Sequence, residues 1–258
     1  MIFKESKIDL TKGFYVPTVG QGYLENEFEL TPKDFLKFAK QDLKQDDERG
    51  YINSLTNSKR AIDCQIDEVL NKIGINYKKI SPEIEKYLDY FEFEKDIPYK
   101  LKIINSLNLA PSLIISKTRN IGNKLEHIYE KPTKEDVREA LDVADLLIRS
   151  ISAKIDIIQT DFGITDEKNL TCNFLLNFEN GIIFYFDTKK RHLKIESRIK
   201  NIDQKSVILN SNDKGYCGIL RMMFSQNDDF ELEESLKATL KHIGHQMPLD
   251  KASLIQVA

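Results

Sequence analysis

The hydrophobic periodicity of the 258-residue chain changes near residues 155–165. Before this point apolar residues recur at steps of three and four, as on one face of an α-helix. After it they form short runs or alternate with polar residues, as in β-strands. Helices followed by strands are typical of the α+β class. We therefore predict an N-terminal helical bundle followed by a small antiparallel β-sheet with a C-terminal helix.

Capping residues, prolines and glycines divide the chain into three predicted parts. Residues 1–30 show no sustained period and are interpreted as an irregular arm. Residues 31–157 are predicted to form about five helices, because Thr31 suits an N-cap and Thr133 opens a strongly amphipathic stretch. Residues 158–258 form the β-rich part. The apolar face of the last helix of the bundle contains Val137, Ala140, Leu141, Ala144, Leu147, Ile148 and Ile151.

The β-rich part contains a strong short turn signal. Asn180 and Gly181 stand between two β-rich runs, and both residue types accept the positive φ of a type I′ hairpin turn. A further strand is predicted near residues 205–211, and YCGILRMMF at 216–224 is predicted to be the next strand of an antiparallel meander. A final helix is predicted to end at Gly244.

Charge and cysteine usage exclude several classes of protein. The chain has 38 basic and 41 acidic residues and a formal net charge of −3, so binding to nucleic acid requires a local basic patch. The three cysteines, Cys64, Cys172 and Cys217, are far apart and odd in number, which argues against a disulfide framework or a zinc site. We predict reduced thiols, no metal and no cofactor.

Hydropathy predicts a cytoplasmic protein. The stretch MIFKESKIDLTKGFYVP lacks the apolar run of a secretory signal. No segment approaches the ~20 consecutive apolar residues that a membrane-spanning helix needs. We therefore expect no membrane association.

The stretch RNIGNKLEHIY, at residues 119–129, concentrates chemically useful side chains in the predicted bundle. Arg119, Asn123 and His127 follow one another at steps of four, so on one helix they form a polar ladder, with Asn120 beside it. A guanidinium binds phosphate through two parallel hydrogen bonds, and an imidazole gives or takes a proton near neutral pH. Together these groups suit cleavage of RNA by its own 2′-hydroxyl without a metal.

The same ladder has a structural interpretation, which periodicity alone favours. Arginine and asparagine four residues apart often pack the seam of a bundle, and a histidine beside Glu126 is usual on a solvated helix face. Gly122 lies inside the stretch, where a glycine costs ~1 kcal/mol of helix stability relative to alanine. It indicates a close helix approach, a kink or local strain, and the sequence leaves these alternatives open.

Two longer segments resemble the HEPN (higher eukaryotes and prokaryotes nucleotide-binding) superfamily, small helical bundles common in prokaryotic toxin and phage-defence systems. Residues 50–70, GYINSLTNSKRAIDCQIDEVL, are similar to the first long helix of one subgroup. Residues 123–148 resemble its pattern of Asn, Leu, Glu, His, an aromatic residue and Pro before an amphipathic helix. The resemblance covers about residues 35–155.

The resemblance implies a homodimeric, metal-independent endoribonuclease. His127 would transfer the proton, Arg119 would stabilise the phosphate, and Asn120 and Asn123 would position the substrate. However, Arg119 lies eight residues before His127, and Gly122 occupies the place where the subgroup has arginine. The alternative is a catalytically inactive HEPN-like module for dimerisation or nucleic-acid binding.

The resemblance also implies partners. These are RNA, a second copy of the chain, and an antitoxin or regulatory protein. A plain protein-interaction module is a third interpretation, supported by the negative net charge.

A basic strip in the β-rich part is the predicted nucleic-acid contact. Residues 192–200 alternate, with charged side chains on one face and mostly apolar ones on the other. Such a face could follow a phosphate backbone, but lysine and glutamate are equally typical of a solvated sheet face or a guarded edge. The predicted binding residues, including one from the long helix, are Lys189, Lys190, Arg191, Lys194, Arg198 and Arg60.

Two histidines near the C-terminus have a spacing found among metal ligands. His242 and His245 are three residues apart, but Gly244 interrupts the helix between them. No cysteine or carboxylate completes a ligand set before Asp250. We therefore predict no metal site here.

Overall fold

A computed structural model describes residues 3, 6–114, 116–118, 120, 131–168 and 175–257. The chain forms two compact units. The sheet unit contains Met1–Leu24, Ile73–Phe91 and Ile157–Ala258, and the helical unit contains Glu25–Lys72 and Glu92–Asp156. Each unit is therefore built from segments that are separate in the sequence.

The helices and strands of the described residues have the following bounds. The helices are α1 (Pro32–Leu43), α2 (Glu48–Lys72), α3 (Pro82–Leu88), α4 (Tyr99–Ser106), α5 (Lys134–Ile155), α6 (Tyr216–Phe224), α7 (Asp229–His242) and a 3₁₀ turn (Leu249–Lys251). The strands are β1 (Gly13–Pro17), β2 (Gln21–Gly22), β3 (Ile158–Gln159), β4 (Asp161–Thr165), β5 (Gly181–Asp187), β6 (His192–Ile199), β7 (Ile202–Leu209) and β8 (Leu254–Gln256). Residues 112–114, 116–118 and 120 are also helical.

Capping boxes start two helices of the helical unit where the sequence predicts them. The Thr31 side chain accepts a hydrogen bond from Asp34 N, and the Asp34 carboxylate accepts one from Thr31 N. Thr133 and Asp136 repeat this exchange at the start of α5. These side chains satisfy backbone N–H groups that have no partner within the helix. Both predicted helix starts are confirmed.

Small side chains let α1 and α2 pack closely in the helical unit. Ser54 and Ser58 of α2 are fully buried, and the Ser54 hydroxyl donates to Ala39 O of α1 at 2.7 Å. Ala61, one turn further along α2, is also fully buried. The predicted apolar face of α5 is confirmed, since Val137, Ala140, Leu141, Ala144, Leu147, Ile148 and Ile151 are all buried. The core of this unit therefore lies between its helices.

The sheet unit contains a mixed six-stranded sheet in the order β7-β6-β5-β4-β1-β8. Strands β4 to β7 form an antiparallel meander, and β1 is antiparallel to β4 but parallel to β8. The predicted small antiparallel sheet is wrong, because strands from the two ends of the described chain extend the meander. Gly13–Pro17 is too short, and too rich in glycine and proline, to show a strand period. A separate pair joins β2 and β3.

Aromatic side chains from three strands stack in the core of this sheet. The ring centroids of Phe162 and Phe184 are 4.5 Å apart, and those of Tyr15 and Phe162 are 4.8 Å apart. All three residues are fully buried. The Tyr15 hydroxyl donates to Gln159 Oε1 at 3.0 Å, so its polar end is satisfied. Burial raises the pKa of Tyr15 far above its ordinary value, so the phenol stays neutral.

The hairpin predicted at Asn180 and Gly181 is wrong. Gly181 begins β5, and the partner strands of β5 are β4 and β6, not the residues just before the turn. Neither residue has a positive φ. A Cβ on Gly181 would lie 2.1 Å from the Phe178 ring and 2.8 Å from Ile164 O. Glycine is therefore required here for close packing and not for turn conformation.

The stretch predicted as the last strand of the meander is helix α6. All nine residues from Tyr216 to Phe224 are buried. The run therefore has no polar positions whose spacing would distinguish the period of a helix from that of a strand. The residue before it, Gly215, has a φ of 86°, which a glycine adopts without strain. The strand prediction is wrong because a short apolar run fits either structure.

The close crossing of α6 and α7 leads to a stability prediction for Gly218→Ala. In an exposed helix this change stabilises by ~1 kcal/mol. Here a Cβ would lie 2.1 Å from Thr239 Oγ1 and 3.0 Å from Thr239 Cα. We expect the variant to lose about 1–3 kcal/mol of unfolding free energy in chemical denaturation, as overpacked cores do.

The control is the same change in a Thr239→Ala background. There the nearest atom is gone, so the loss caused by Gly218→Ala should become smaller. A Gly218→Ala variant more stable than the parent would contradict the packing of α6 against α7.

Candidate functional site

The predicted catalytic ladder lies mostly outside the described residues. Arg119, Asn123 and His127 are outside them, and Asn120 is the member that the structure places. Asn120 is helical and exposed. The distance between the predicted proton-transfer and phosphate-stabilising groups therefore stays a prediction.

Two contacts attach the helical residues before Asn120 to the rest of the helical unit. Ser116 Oγ donates to Glu94 Oε2 at 3.2 Å, and Lys117 Nζ lies 2.5 Å from Glu139 Oε1 of α5. Both partners of the Lys117 pair are about half exposed, so the pair contributes little stability. The charge of Lys117 is nevertheless partly compensated by Glu139.

Arg60, the predicted nucleic-acid contact on α2, and the nearby Asn57 differ in their surroundings. Asn57 Nδ2 donates to Asp42 Oδ2 of α1 at 2.8 Å, which ties the two helices together. Arg60, three residues further on, is exposed. Asn57 therefore has a structural role, and Arg60 is accessible to an anion.

The turn between β5 and β6 carries three of the predicted basic residues. Lys189 N and Lys190 N donate to Asp187 Oδ1 at 3.0 and 2.8 Å, and these bonds, that of Lys190 above all, lower the pKa of Asp187. Arg191 has a φ of 53°, and its carbonyl accepts a hydrogen bond from the Tyr216 hydroxyl. The side chains of Lys189 and Lys190 are exposed. The backbone of this turn is fixed while its two lysines face solvent.

Strand β6 has the predicted alternation, because Leu193, Ile195 and Ser197 are buried and Lys194 is exposed. Lys194 Nζ lies 2.6 Å from Glu196 Oε1 and 5.9 Å from the centre of the Tyr185 ring. The structure therefore pairs this lysine with a carboxylate on its own strand. That pairing reduces the positive charge of the predicted strip.

Arg198 serves the packing of the sheet's outer face. Its Nη1 donates to Leu176 O at 2.6 Å and to Phe178 O at 3.3 Å, and its guanidinium lies 5.4 Å from the centre of the Phe178 ring. Phe178 is buried against Val16 and Ile183. The guanidinium thus holds the segment before β5 on the sheet through hydrogen bonds to two carbonyls. The sequence shows the charge of Arg198 but not these partners.

A buried histidine at the end of α7 contacts α3 and the residue before α6 in the sheet unit. His242 Nδ1 accepts a hydrogen bond from Gly215 N at 3.2 Å, so the proton of the neutral ring is on Nε2. His242 Nε2 lies 3.5 Å from Glu83 Oε2. The rings of Tyr87 and Tyr90 lie 5.5 and 6.0 Å from the imidazole. His242 is 4% exposed, so solvent and substrate do not reach it.

The surroundings of His242 favour a neutral ring. Burial lowers the pKa of His242 below its ordinary 6.5, and this effect exceeds the opposing effect of the Glu83 carboxylate. A second proton would go to Nδ1 and would remove the acceptor of Gly215 N. His245 Nδ1 instead accepts from Met247 N at 3.2 Å. Among the described residues no group of three or more His, Cys, Asp and Glu side chains could hold a metal.

The role of Arg198 predicts a loss of stability upon a change that keeps its charge. Arg198→Lys removes the planar guanidinium beside the Phe178 ring and ends one bond short of the position of Nη1, so we expect it to lower the unfolding free energy by about 1–2 kcal/mol in chemical denaturation. The control, Lys189→Ala in the exposed turn, should change stability by no more than about 0.5 kcal/mol. A lysine variant as stable as the parent that binds RNA more weakly would instead make Arg198 a nucleic-acid contact.

The lowered pKa of His242 predicts that stability falls as pH decreases. Between the lowered pKa and 6.5 the unfolded chain binds more protons than the folded chain, so folding is favoured above this window and loses free energy on acidification through it. His242→Asn keeps an acceptor near Gly215 N but does not titrate. The difference in unfolding free energy between the parent and this variant should decrease from pH 7 to pH 5. A difference that is constant with pH would contradict the neutral buried ring.

Comparison of the chain with protein-family models, with curated protein sequences and with solved structures finds no match. The HEPN resemblance of residues 50–70 and 123–148 is therefore untested by relatives and stays a prediction. None of the described helices is long and apolar enough to cross a membrane.

Proposed function

We propose that the helical unit is a metal-independent endoribonuclease in which His127 transfers the proton and Arg119 stabilises the reacting phosphate. The observation that carries the proposal is the stretch RNIGNKLEHIY at residues 119–129, which runs into the second of the two segments that resemble HEPN domains, residues 50–70 and 123–148. The described secondary structure of this unit is helical, which supports the proposal at the level of fold class. In this proposal the protein is cytoplasmic and is held in check by an antitoxin or regulatory protein.

The proposed reaction needs no external oxidant, metal or water in its first step. The 2′-hydroxyl of RNA attacks the adjacent phosphorus while the bond from phosphorus to the 5′-oxygen breaks. A proton leaves the 2′-oxygen and another reaches the 5′-oxygen, so one base and one acid are required. The guanidinium of Arg119 stabilises the added negative charge on the phosphate oxygens. The products end in a 2′,3′-cyclic phosphate and a 5′-hydroxyl.

A homodimer would supply the second proton-transfer group. Eight residues of helix separate two side chains by ~12 Å along the axis, so Arg119 and His127 of one straight helix would not reach the same phosphate. Two protomers that meet at this stretch would bring two imidazoles and two guanidiniums into one cleft. One imidazole would then act as base and the other as acid.

Gly122 favours a second candidate function. It stands five residues before His127, where the family pattern has arginine, so the arginine of the reactive pair is displaced. A module of this kind would bind RNA or form a dimer without cleaving. Exposed Arg60, Lys189 and Lys190 are available for such binding. Because phosphate contacts release counterions, this binding would weaken steeply as salt rises.

The test is RNA cleavage in EDTA by the full chain. We expect the parent protein to cut single-stranded RNA, and His127→Ala or Arg119→Ala to lower the rate at least about a hundredfold, the usual contribution of a proton-transfer group. The matched controls are His245→Ala and Arg149→Ala, of which Arg149 is exposed and pairs with Asp145. Both controls should keep the parent rate.

Three outcomes would overturn the proposed activity or its assignment to His127. Intact RNA with salt-sensitive binding would establish the inactive binding module instead. Cleavage that persists in His127→Ala, or that disappears with EDTA, would place the chemistry elsewhere.

A further inference from the structure

The two edges of the six-stranded sheet differ in how their backbone is covered. At one edge, β8 has three residues, and Gln256 N donates to Asp229 Oδ1 at 2.8 Å. Asn227 N donates to Gln256 Oε1 at 2.8 Å, and Gln256 Nε2 donates to Asn227 Oδ1 at 3.0 Å. This edge is therefore closed by polar side chains from the start of α7. Such covering prevents strand pairing between molecules.

The other edge, β7, is long and exposed. It has eight residues and pairs with β6 on one side. Ile202, Val207 and Ile208 are 50%, 40% and 59% exposed. An edge strand presents half of its N–H and C=O groups outward. Exposed β-branched side chains on such an edge are typical of a strand that accepts another strand.

A cavity of about 280 Å³ lies beside this edge, within the sheet unit. Register places Val207 opposite Ile195 and Lys205 opposite the buried Ser197, so both residues of β7 belong to the inner face. The walls come from that inner face, from the start of α6 and from the end of α7. The lining residues are Phe3, Ile195, Lys205, Ser206, Val207, Leu209, Lys214, Gly215, Ile219 and Ile243. Side chains on the inner face of an added strand would enter this space.

The charge of the cavity lining indicates whether β7 pairs with a second copy of the chain or with a different partner. The charged residues of the lining are Lys205 and Lys214, and both are exposed. Antiparallel pairing of β7 with its own copy would place a second set of these lysines on the same face. Like charges across strands destabilise a sheet. An acidic segment would instead be attracted to the same place.

We propose that β7 and the adjoining cavity bind an extended acidic peptide segment of another protein as a seventh strand. Main-chain hydrogen bonds to β7 would give affinity, as in other cases of strand addition. Every second side chain of the added strand would face inward. Apolar residues at some of these inward positions would fill the cavity between Val207 and Ile219, and acidic residues at the others would place their carboxylates near Lys205 and Lys214. The site is independent of the helical unit and of its proposed chemistry.

The test uses an array of ten-residue peptides with threonine at every second position. The other positions carry all combinations of Leu, Ile, Phe and Glu, and a matched array replaces Glu by Lys. We expect the full chain to bind Glu-containing peptides that also carry apolar residues, and not their Lys counterparts. The best peptide should protect amides of β7 from hydrogen exchange.

Charge reversal provides the matched variants. Lys205→Glu/Lys214→Glu should weaken the best peptide at least tenfold, whereas Lys251→Glu, an exposed lysine away from the cavity lining, should not change its affinity. Absence of Glu-dependent binding over the whole array would mean that Lys205 only guards the edge, and would overturn the proposal. Equal binding by the double variant, or decanoate binding in the cavity without any peptide binding, would also overturn it.

Discussion

The sheet unit depends on the pairing of β1 with strands on both of its sides. Phe14 to Pro17 pair with β4, and Gly13 to Tyr15 pair with β8. Val257 N also donates to Tyr15 O, which extends the contact with the C-terminal segment. Without β1, the short strand β8 would have no neighbour in the sheet and β4 would become an edge. Because β1 and β4 are separated in the sequence by the whole helical unit, the sheet is completed by contacts of very long sequence separation.

The sequence predicts an element correctly where a local signal is enough, and incorrectly where a partner distant in the sequence determines its structure. Thr31 and Thr133 cap the N-termini of two helices, as their side chains predict. Gly244 follows the end of α7 with a φ of 65°, also as predicted. Strand β1 has no period to detect because it is short and almost entirely buried. Glycine is required at position 181 because the Phe178 ring packs against it, and not because of the conformation of a turn. Neither fact is visible before the sheet is assembled.

The same limit applies to the candidate sites. Basic character was predicted for β6, but the carbonyl partners of Arg198 and the carboxylate partner of Lys194 assign these two residues to the sheet itself. The open edge at β7 had no counterpart in the sequence reasoning, since exposure of a strand edge depends on strand order. His242 was noticed for a metal-like spacing, and its contacts with Gly215 and Glu83 give it a structural role. Arg198, Lys194 and His242 therefore each have a structural partner within the sheet unit.

The activity proposed for the helical unit is cleavage of RNA through the 2′-hydroxyl with an imidazole and a guanidinium. The chemical nature of the new RNA ends distinguishes this reaction from hydrolysis, because attack by the 2′-oxygen leaves a different end from attack by water. Mass spectrometry of the fragments produced in EDTA should show 2′,3′-cyclic phosphates and 5′-hydroxyls. Fragments with 3′-hydroxyls and 5′-phosphates, or RNA that stays intact, would contradict the account.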